Sequence, residues 1–147
     1  MPYVETEIFI NAEPAAVYDF ARDMEKFPEY MRDVEEVNVL EKNGSNTITE
    51  WVTNIDGTPI IWTEEDKFDD ENLTITYRMI EGDLDKFEGQ WNFKGVDKGC
   101  KVILGVDYDF GMPSLTELIG PTLKQKVKEN SEMMLAGMKE IVESGVN

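Results

Sequence analysis

The chain has 147 residues, 41% of them hydrophobic and 10% aromatic, with 31 acidic residues against 14 basic ones and a formal net charge of −17. That is the composition of one folded domain able to bury its own core, and its charge opposes binding to nucleic acid or anionic membranes. There is no histidine, which excludes a histidine general base, a Ser–His triad and any histidine metal site.

Alternating apolar residues predict a first strand over Tyr3 to Ile10, with Val4, Thr6, Ile8 and Ile10 on one face. Asn11 is placed to cap the following helix, and Pro14 falls in its first turn. Val17, Phe20, Ala21 and Met24 recur at helical spacing and predict an inward stripe. A second short helix or turn holds Phe27, Pro28, Tyr30 and Met31. Strands two to five are expected over Val34–Lys42, Asn46–Ile55, Thr58–Phe68 and Leu73–Ile80. Asn43-Gly44 and Asp56-Gly57 are hairpin signals, and Asp69-Asp70-Glu71-Asn72 is a polar turn without calcium-loop spacing. Glu81-Gly82-Asp83 ends the fifth strand.

Strand six alternates Phe87, Gly89, Trp91 and Phe93; a loop from Gly95 to Gly99 leads to strand seven, with Val102, Leu104, Val106, Tyr108 and Phe110 alternating. Gly111-Met112-Pro113 ends the sheet, and Ser114 and Glu117 have capping-box spacing. The last helix runs to about Ser144, with Leu115, Leu118, Ile119, Leu123, Val127, Met133, Met134, Met138 and Ile141 in helical register. Gly120-Pro121 is expected to bend or restart it. Cys100 is the one cysteine, read as a small core residue, so no internal disulfide forms. No apolar run reaches the roughly 18 residues of a membrane span. The start of the chain lacks a secretory pattern, so a cytoplasmic location is expected.

An antiparallel sheet with one apolar face needs one cover, and the long helix is the element large enough to supply it. Trp51, Trp62, Tyr77, Trp91 and Tyr108 then share the concave face. Their N–H and O–H groups need partners, which a wet aromatic-lined pocket supplies more easily than a dry core. Strand four adds a clash: Glu64 and Asp66 stand in the same row as Ile60, Trp62 and Phe68. Two inward carboxylates without a cation are costly to desolvate, and one is expected to keep a proton. That makes Glu64 and Asp66 the catalytic candidates for general acid–base work, unless the strand end lies in a hydrated cavity mouth. Arg78 falls in the outward row of strand five. Asn130 lies on the inward stripe of the last helix, where it meets ligand, water or a Trp N–H, or is a satisfied core Asn.

Several segments resemble the START-like (SRPBCC) superfamily of polyketide cyclases, coenzyme-Q-binding proteins and plant hydrophobic-ligand carriers. They are Ile8-Phe9-Ile10-Asn11-Ala12-Glu13-Pro14 to Tyr18, Met24-Glu25-Lys26-Phe27-Pro28 to Val34, Trp51, Trp62-Thr63-Glu64-Glu65-Asp66, and Phe87 to Phe93. The resemblance covers nearly the whole chain. It implies one α+β domain over residues 1–147 with the helix-grip fold. In that fold a curved antiparallel sheet of about seven strands surrounds a long C-terminal helix, with two short helices after strand one. It also implies a cavity under that helix for an aromatic, polyketide-like or isoprenoid molecule. In the aromatase/cyclases the segment similar to Trp62–Asp66 carries a Ser and then an Arg; here those positions are Glu64 and Asp66. A carboxylate cannot anchor an oxygenated ring as an arginine does, and only Arg22, Arg32 and Arg78 exist to replace it.

The expected ligand-binding set is Phe27, Tyr30, Trp51, Trp62, Glu64, Asp66, Tyr77, Trp91, Tyr108, Asn130, Met133 and Met134. No metal and no cofactor are expected. The expected partner is a hydrophobic small molecule, not nucleic acid, bound by a monomer or homodimer. Polyketide cyclisation or dehydration is one outcome of that binding; a non-catalytic lipid or quinone carrier or chaperone is the alternative.

Overall fold

Short turns and alternating strands build one antiparallel sheet, in the order β1-β7-β6-β5-β4-β3-β2. The strands are β1 (Tyr3–Ile10), β2 (Val34–Asn43), β3 (Asn46–Ile55), β4 (Thr58–Asp69), β5 (Thr74–Gly82), β6 (Lys86–Val96) and β7 (Gly99–Asp109). Helices α1 (Pro14–Arg22) and α2 (Phe27–Tyr30) follow β1, joined by a 3-10 turn at Met24–Lys26, and α3 (Pro113–Glu143) closes the chain. The structure is a computed structural model that describes residues 3–55, 58–82, 84–109 and 113–144, with the side chains of 55, 58 and 113–123 outside the description. This is the α+β helix-grip arrangement that the sequence implies, and the strand limits fall within a few residues of those expected.

Sequence neighbours β2 to β7 are also spatial neighbours, and β1 returns to pair with β7 at the far edge. Gly44 takes a φ of 65° in the β2–β3 hairpin, the left-handed conformation that such a turn requires. Asp69 Oδ1 accepts the backbone N–H groups of Glu71 and Asn72 at 3.1 and 3.0 Å, which closes the polar turn before β5. The Asp56-Gly57 hairpin signal lies outside the described residues, as do the side chains of the Ser114–Glu117 cap and of Leu115, Leu118, Ile119 and Leu123. The helix does not restart at Gly120-Pro121; α3 is continuous through them.

The inner face of the sheet and the inner stripe of α3 form the core. Ile10, Val17, Phe27, Ile75, Cys100, Val102 and Met138 are fully buried in it. Phe27 stands at its centre, with ring centroids 5.6 Å from Trp51 and 6.0 Å from Trp91. Two expectations need correction. Asn11 does not cap α1: the capping position is Glu13, without a side-chain cap bond. The chain makes an extra turn at Ala12, whose N–H bonds Ile10 O at 2.9 Å, and the Asn11 N–H instead reaches Glu143 of α3 at 2.8 Å. On α1, Phe20 is only half-buried, while Tyr18 is buried and donates to Asp70 Oδ1 at 2.7 Å. No helix among the described residues is long and apolar enough to cross a membrane.

Gly137 sets how closely α3 approaches α2, because a Cβ there would collide with the Tyr30 carbonyl oxygen. An alanine would gain about 1 kcal/mol of helix propensity, but overpacking against rigid backbone costs ~1–3 kcal/mol. Gly137→Ala is therefore expected to destabilise the protein, by about 1 kcal/mol net. A lower urea midpoint checks this, and a higher midpoint would show that α3 is free to shift.

Candidate functional site

The described side chains under α3 enclose a cavity. Its sheet wall holds Trp51 and Thr53 of β3, Ile60, Trp62 and Glu64 of β4, Tyr77 of β5, Phe87 and Trp91 of β6, and Leu104 and Val106 of β7. Val127, Asn130, Ser131 and Met134 of α3 and Leu84 of the β5–β6 turn complete it. The space open to the centre of a water molecule is about 50 Å³. That is room for a few waters, far below the ~300–1,000 Å³ of a drug-sized site.

Cross-strand register explains the aromatic wall. Trp51 and Trp62 are partners across β3 and β4, and their rings stack with centroids 5.7 Å apart and planes 8° from parallel. Phe87 tilts onto Trp62 at 4.8 Å and onto Tyr77 at 5.8 Å. The N–H groups of Trp51 and Trp62 are satisfied within the protein, contrary to the expectation that they call for a wet pocket. Trp51 Nε1 donates to Thr49 Oγ1 at 2.8 Å, and Trp62 Nε1 donates to Glu64 Oε1 at 2.7 Å. Each partner is two residues away on the same strand, hence on the same face. Tyr77 Oη donates to the Gly105 carbonyl at 2.7 Å.

Glu64 and Asp66 are 3% and 0% exposed, so neither lies in a hydrated mouth. Thr49 Oγ1 donates to Asp66 Oδ2 at 2.6 Å, while Asp66 Oδ1 has no hydrogen-bond partner. Burial, and then the charge of Asp66, hold the Glu64 carboxyl well above the usual carboxylate range. Burial also raises Asp66, but hydrogen bonds from Glu64 and Thr49 pull it back. Glu64 is therefore the member that keeps the proton and donates it toward Asp66. A chain of hydrogen bonds thus joins both indoles to one shared proton.

Seven of the expected ligand-binding residues line the cavity: Trp51, Trp62, Glu64, Tyr77, Trp91, Asn130 and Met134. The other five do not. Asp66, two residues along β4 from Glu64, is buried without lining the space, as are Phe27, which packs on Trp51 and Trp91, and Tyr108. Tyr30 packs its ring on Phe20 and Phe27, with its buried hydroxyl lacking a hydrogen-bond partner. Met133 turns aside because the wall of α3 follows 127, 130, 131 and 134, the i, i+3, i+4, i+7 row. Asn130 Nδ2 donates to Asp33 Oδ2 at 3.1 Å, and so ties α3 to the segment before β2 rather than to a Trp. Phe87, Leu104, Val106 and Val127 were legible as inward residues of their elements, whereas Thr53, Ser131 and the turn residue Leu84 carry no apolar period that would mark them.

No Lys or Arg stands among the described wall residues. Arg78 lies on the outer face, 3.3 Å from Glu65, and Arg22 pairs with Asp70 at 3.3 Å. Arg32 is exposed. Among the described residues no group of three or more Cys, Asp and Glu is arranged to hold a metal ion.

The fold agrees with the comparison to known proteins. The family model described as polyketide cyclase / dehydrase and lipid transport matches residues 10–135. The chain belongs to that family. It is 25% identical over 136 residues to the actinorhodin polyketide synthase bifunctional cyclase/dehydratase of Streptomyces coelicolor, covering 90% of this chain but 42% of that protein. It therefore spans less than half of that relative. It is 26% identical over 129 residues to the ribosome association toxin RatA of Pseudomonas aeruginosa, covering 84% of this chain and 85% of that one. Among solved structures, TTHA0849 from Thermus thermophilus superposes with a TM-score of 0.94 at 34% identity, covering 99% of this chain and all of that one.

The carboxyl pair sets a pH dependence. Raised folded-state pKa values mean that the folded chain still binds protons which the unfolded chain has lost above the ordinary values of 4.5 for Glu64 and 3.8 for Asp66. The pair's share of stability is therefore full below those values and falls as pH rises toward the folded-state pKa values. Glu64→Gln mimics the protonated acid and removes that loss. Urea midpoints of wild type and variant should diverge in the variant's favour as pH rises from acid to neutral; parallel profiles would contradict the assignment.

Proposed function

We propose that the chain binds a hydrophobic, ring-bearing small molecule, aromatic, polyketide-like or isoprenoid, between its sheet and α3. The observation that carries this reading is the aromatic wall closed around a single buried acid, Glu64, with space left beside it. As found, the space is too small for such a ligand, so binding parts α3 from the sheet. Met134 and Met138 on the helix face suit that, because unbranched thioether chains repack at low cost. Family membership supports the same reading.

The catalytic form of the proposal is polyketide cyclisation or dehydration. Glu64 would give its proton to a ligand hydroxyl that leaves as water and, as the carboxylate, take up the proton lost from the neighbouring carbon, with Asp66 fixing its orientation. The absence of a wall cation removes one means of stabilising an enolate oxygen, which favours the alternative, a non-catalytic lipid or quinone carrier. We place the protein in the cytoplasm, as a monomer or homodimer, apart from nucleic acid. The name of the Pseudomonas relative raises ribosome association, but a net charge of −17 opposes docking on RNA phosphates.

Titration with the neutral fluorophore N-phenyl-1-naphthylamine tests binding. Wild type should enhance its emission saturably, and Ser131→Leu, which fills the cavity from α3, should weaken affinity about tenfold or more. Equal binding by the two proteins would move the site elsewhere. Incubation with a poly-β-ketone separates the two forms: turnover that Glu64→Gln slows by ~100-fold or more supports the enzyme, and binding without turnover supports the carrier.

A further inference from the structure

We propose that the ligand of this cavity is a hydrophobic amine, whose ammonium group the Glu64–Asp66 pair holds as counter-ion. The inference rests on the reading that the cavity binds a hydrophobic small molecule, and it names the chemical class.

Four observations converge on it. First, two carboxyls are buried side by side with no Lys or Arg in the described wall. In the free site one shared proton spares the pair a second buried charge; an ammonium brought by the ligand displaces that proton and compensates both carboxylates. Second, the acceptor capacity is only partly used. The Trp62 N–H goes to one Glu64 oxygen and the Thr49 hydroxyl to Asp66 Oδ2, while Asp66 Oδ1 is buried without a hydrogen-bond partner. An ammonium offers donors only, and so complements oxygens that accept. Third, Glu64 shares its wall with Trp51, Trp62, Tyr77, Phe87 and Trp91. Ring faces around a carboxylate are the surroundings in which a desolvated cation gains most from cation–π attraction. Fourth, the chain's net charge of −17 draws cations to the site and repels fatty acids and acyl phosphates. An acidic ligand would set a third carboxylate beside the pair.

The test holds the ring constant and varies the charge: 1-naphthalenemethylamine, 1-naphthalenemethanol and 1-naphthoate, each titrated by calorimetry at neutral pH. The amine should bind about tenfold or more tighter than the alcohol, and the acid weakest. Glu64→Gln and Asp66→Asn should each reduce the amine's advantage over the alcohol, because neither variant can present two carboxylates to an ammonium, and a cooperative urea transition for each variant shows that it is folded. Alcohol binding as tight as amine binding, or an advantage that survives both substitutions, overturns the amine assignment and leaves the ligand-binding reading intact. Failure of all three compounds to bind overturns both.

Discussion

The structure depends on how it accommodates two carboxyl groups on the apolar face of its sheet. Glu64 and Asp66 are inward because β4 alternates, and β4 is anchored in that register by Trp62 stacked on Trp51 and by Phe68 opposite Ile75. A one-residue slip would expose the acids but also turn both aromatic anchors to solvent. The acids therefore stay, and the protein stabilises them locally: a shared proton, a threonine hydroxyl and an indole N–H replace the lost water. Those same hydrogen bonds fix the orientation of the two stacked indoles. The polar and the aromatic parts of the wall are one unit.

That unit explains the gap between sheet and helix. Hydrogen-bonded indoles hold fixed positions, so they cannot swing to fill space as free side chains would. Across from them, α3 offers Val127, Asn130, Ser131 and Met134, a row with few large groups. Gly137 lets the far half of α3 settle against Tyr30, and Asn130 ties the helix to Asp33. Beside these fixed points, a space of about 50 Å³ remains between sheet and helix. Family membership bears on the hydrophobic part of a ligand, and the acid in the wall on its polar end. The exchange of the aromatase/cyclase arginine for carboxylates reverses the sign of charge that such a ligand would meet.

Much of the fold was legible because strand period and turn chemistry are local. Asn43-Gly44, the alternation through Phe93 and the helical row of α3 placed nearly every element. The inward row of β4 followed from the same period, which is why Glu64 and Asp66 could be found without coordinates. What escaped were features set by contacts distant in sequence. Asn11 reads as a cap until α3 brings Glu143 to its N–H. Asn130 reads equally as a ligand contact or a satisfied core Asn, and its partner Asp33 lies too far along the chain to be named from the sequence. Phe27, Tyr108 and Asp66 share the inner side of the fold with the wall residues, but period alone cannot say which inward residue stands in front and which behind. The indoles of Trp51 and Trp62 find their partners two residues away on their own strands, Thr49 and Glu64, because i and i±2 share a face.

The central claim is that Glu64 keeps its proton well above the usual carboxylate range inside this wall. Carbon-13 NMR of carboxyl-labelled protein, titrated across the pH range, tests it most directly. The account predicts a Glu64 carboxyl resonance that stays at the position of the neutral acid well above the pH at which an ordinary glutamate titrates, and that disappears in Glu64→Gln. A Glu64 signal that titrates at the ordinary glutamate value of 4.5 would contradict it.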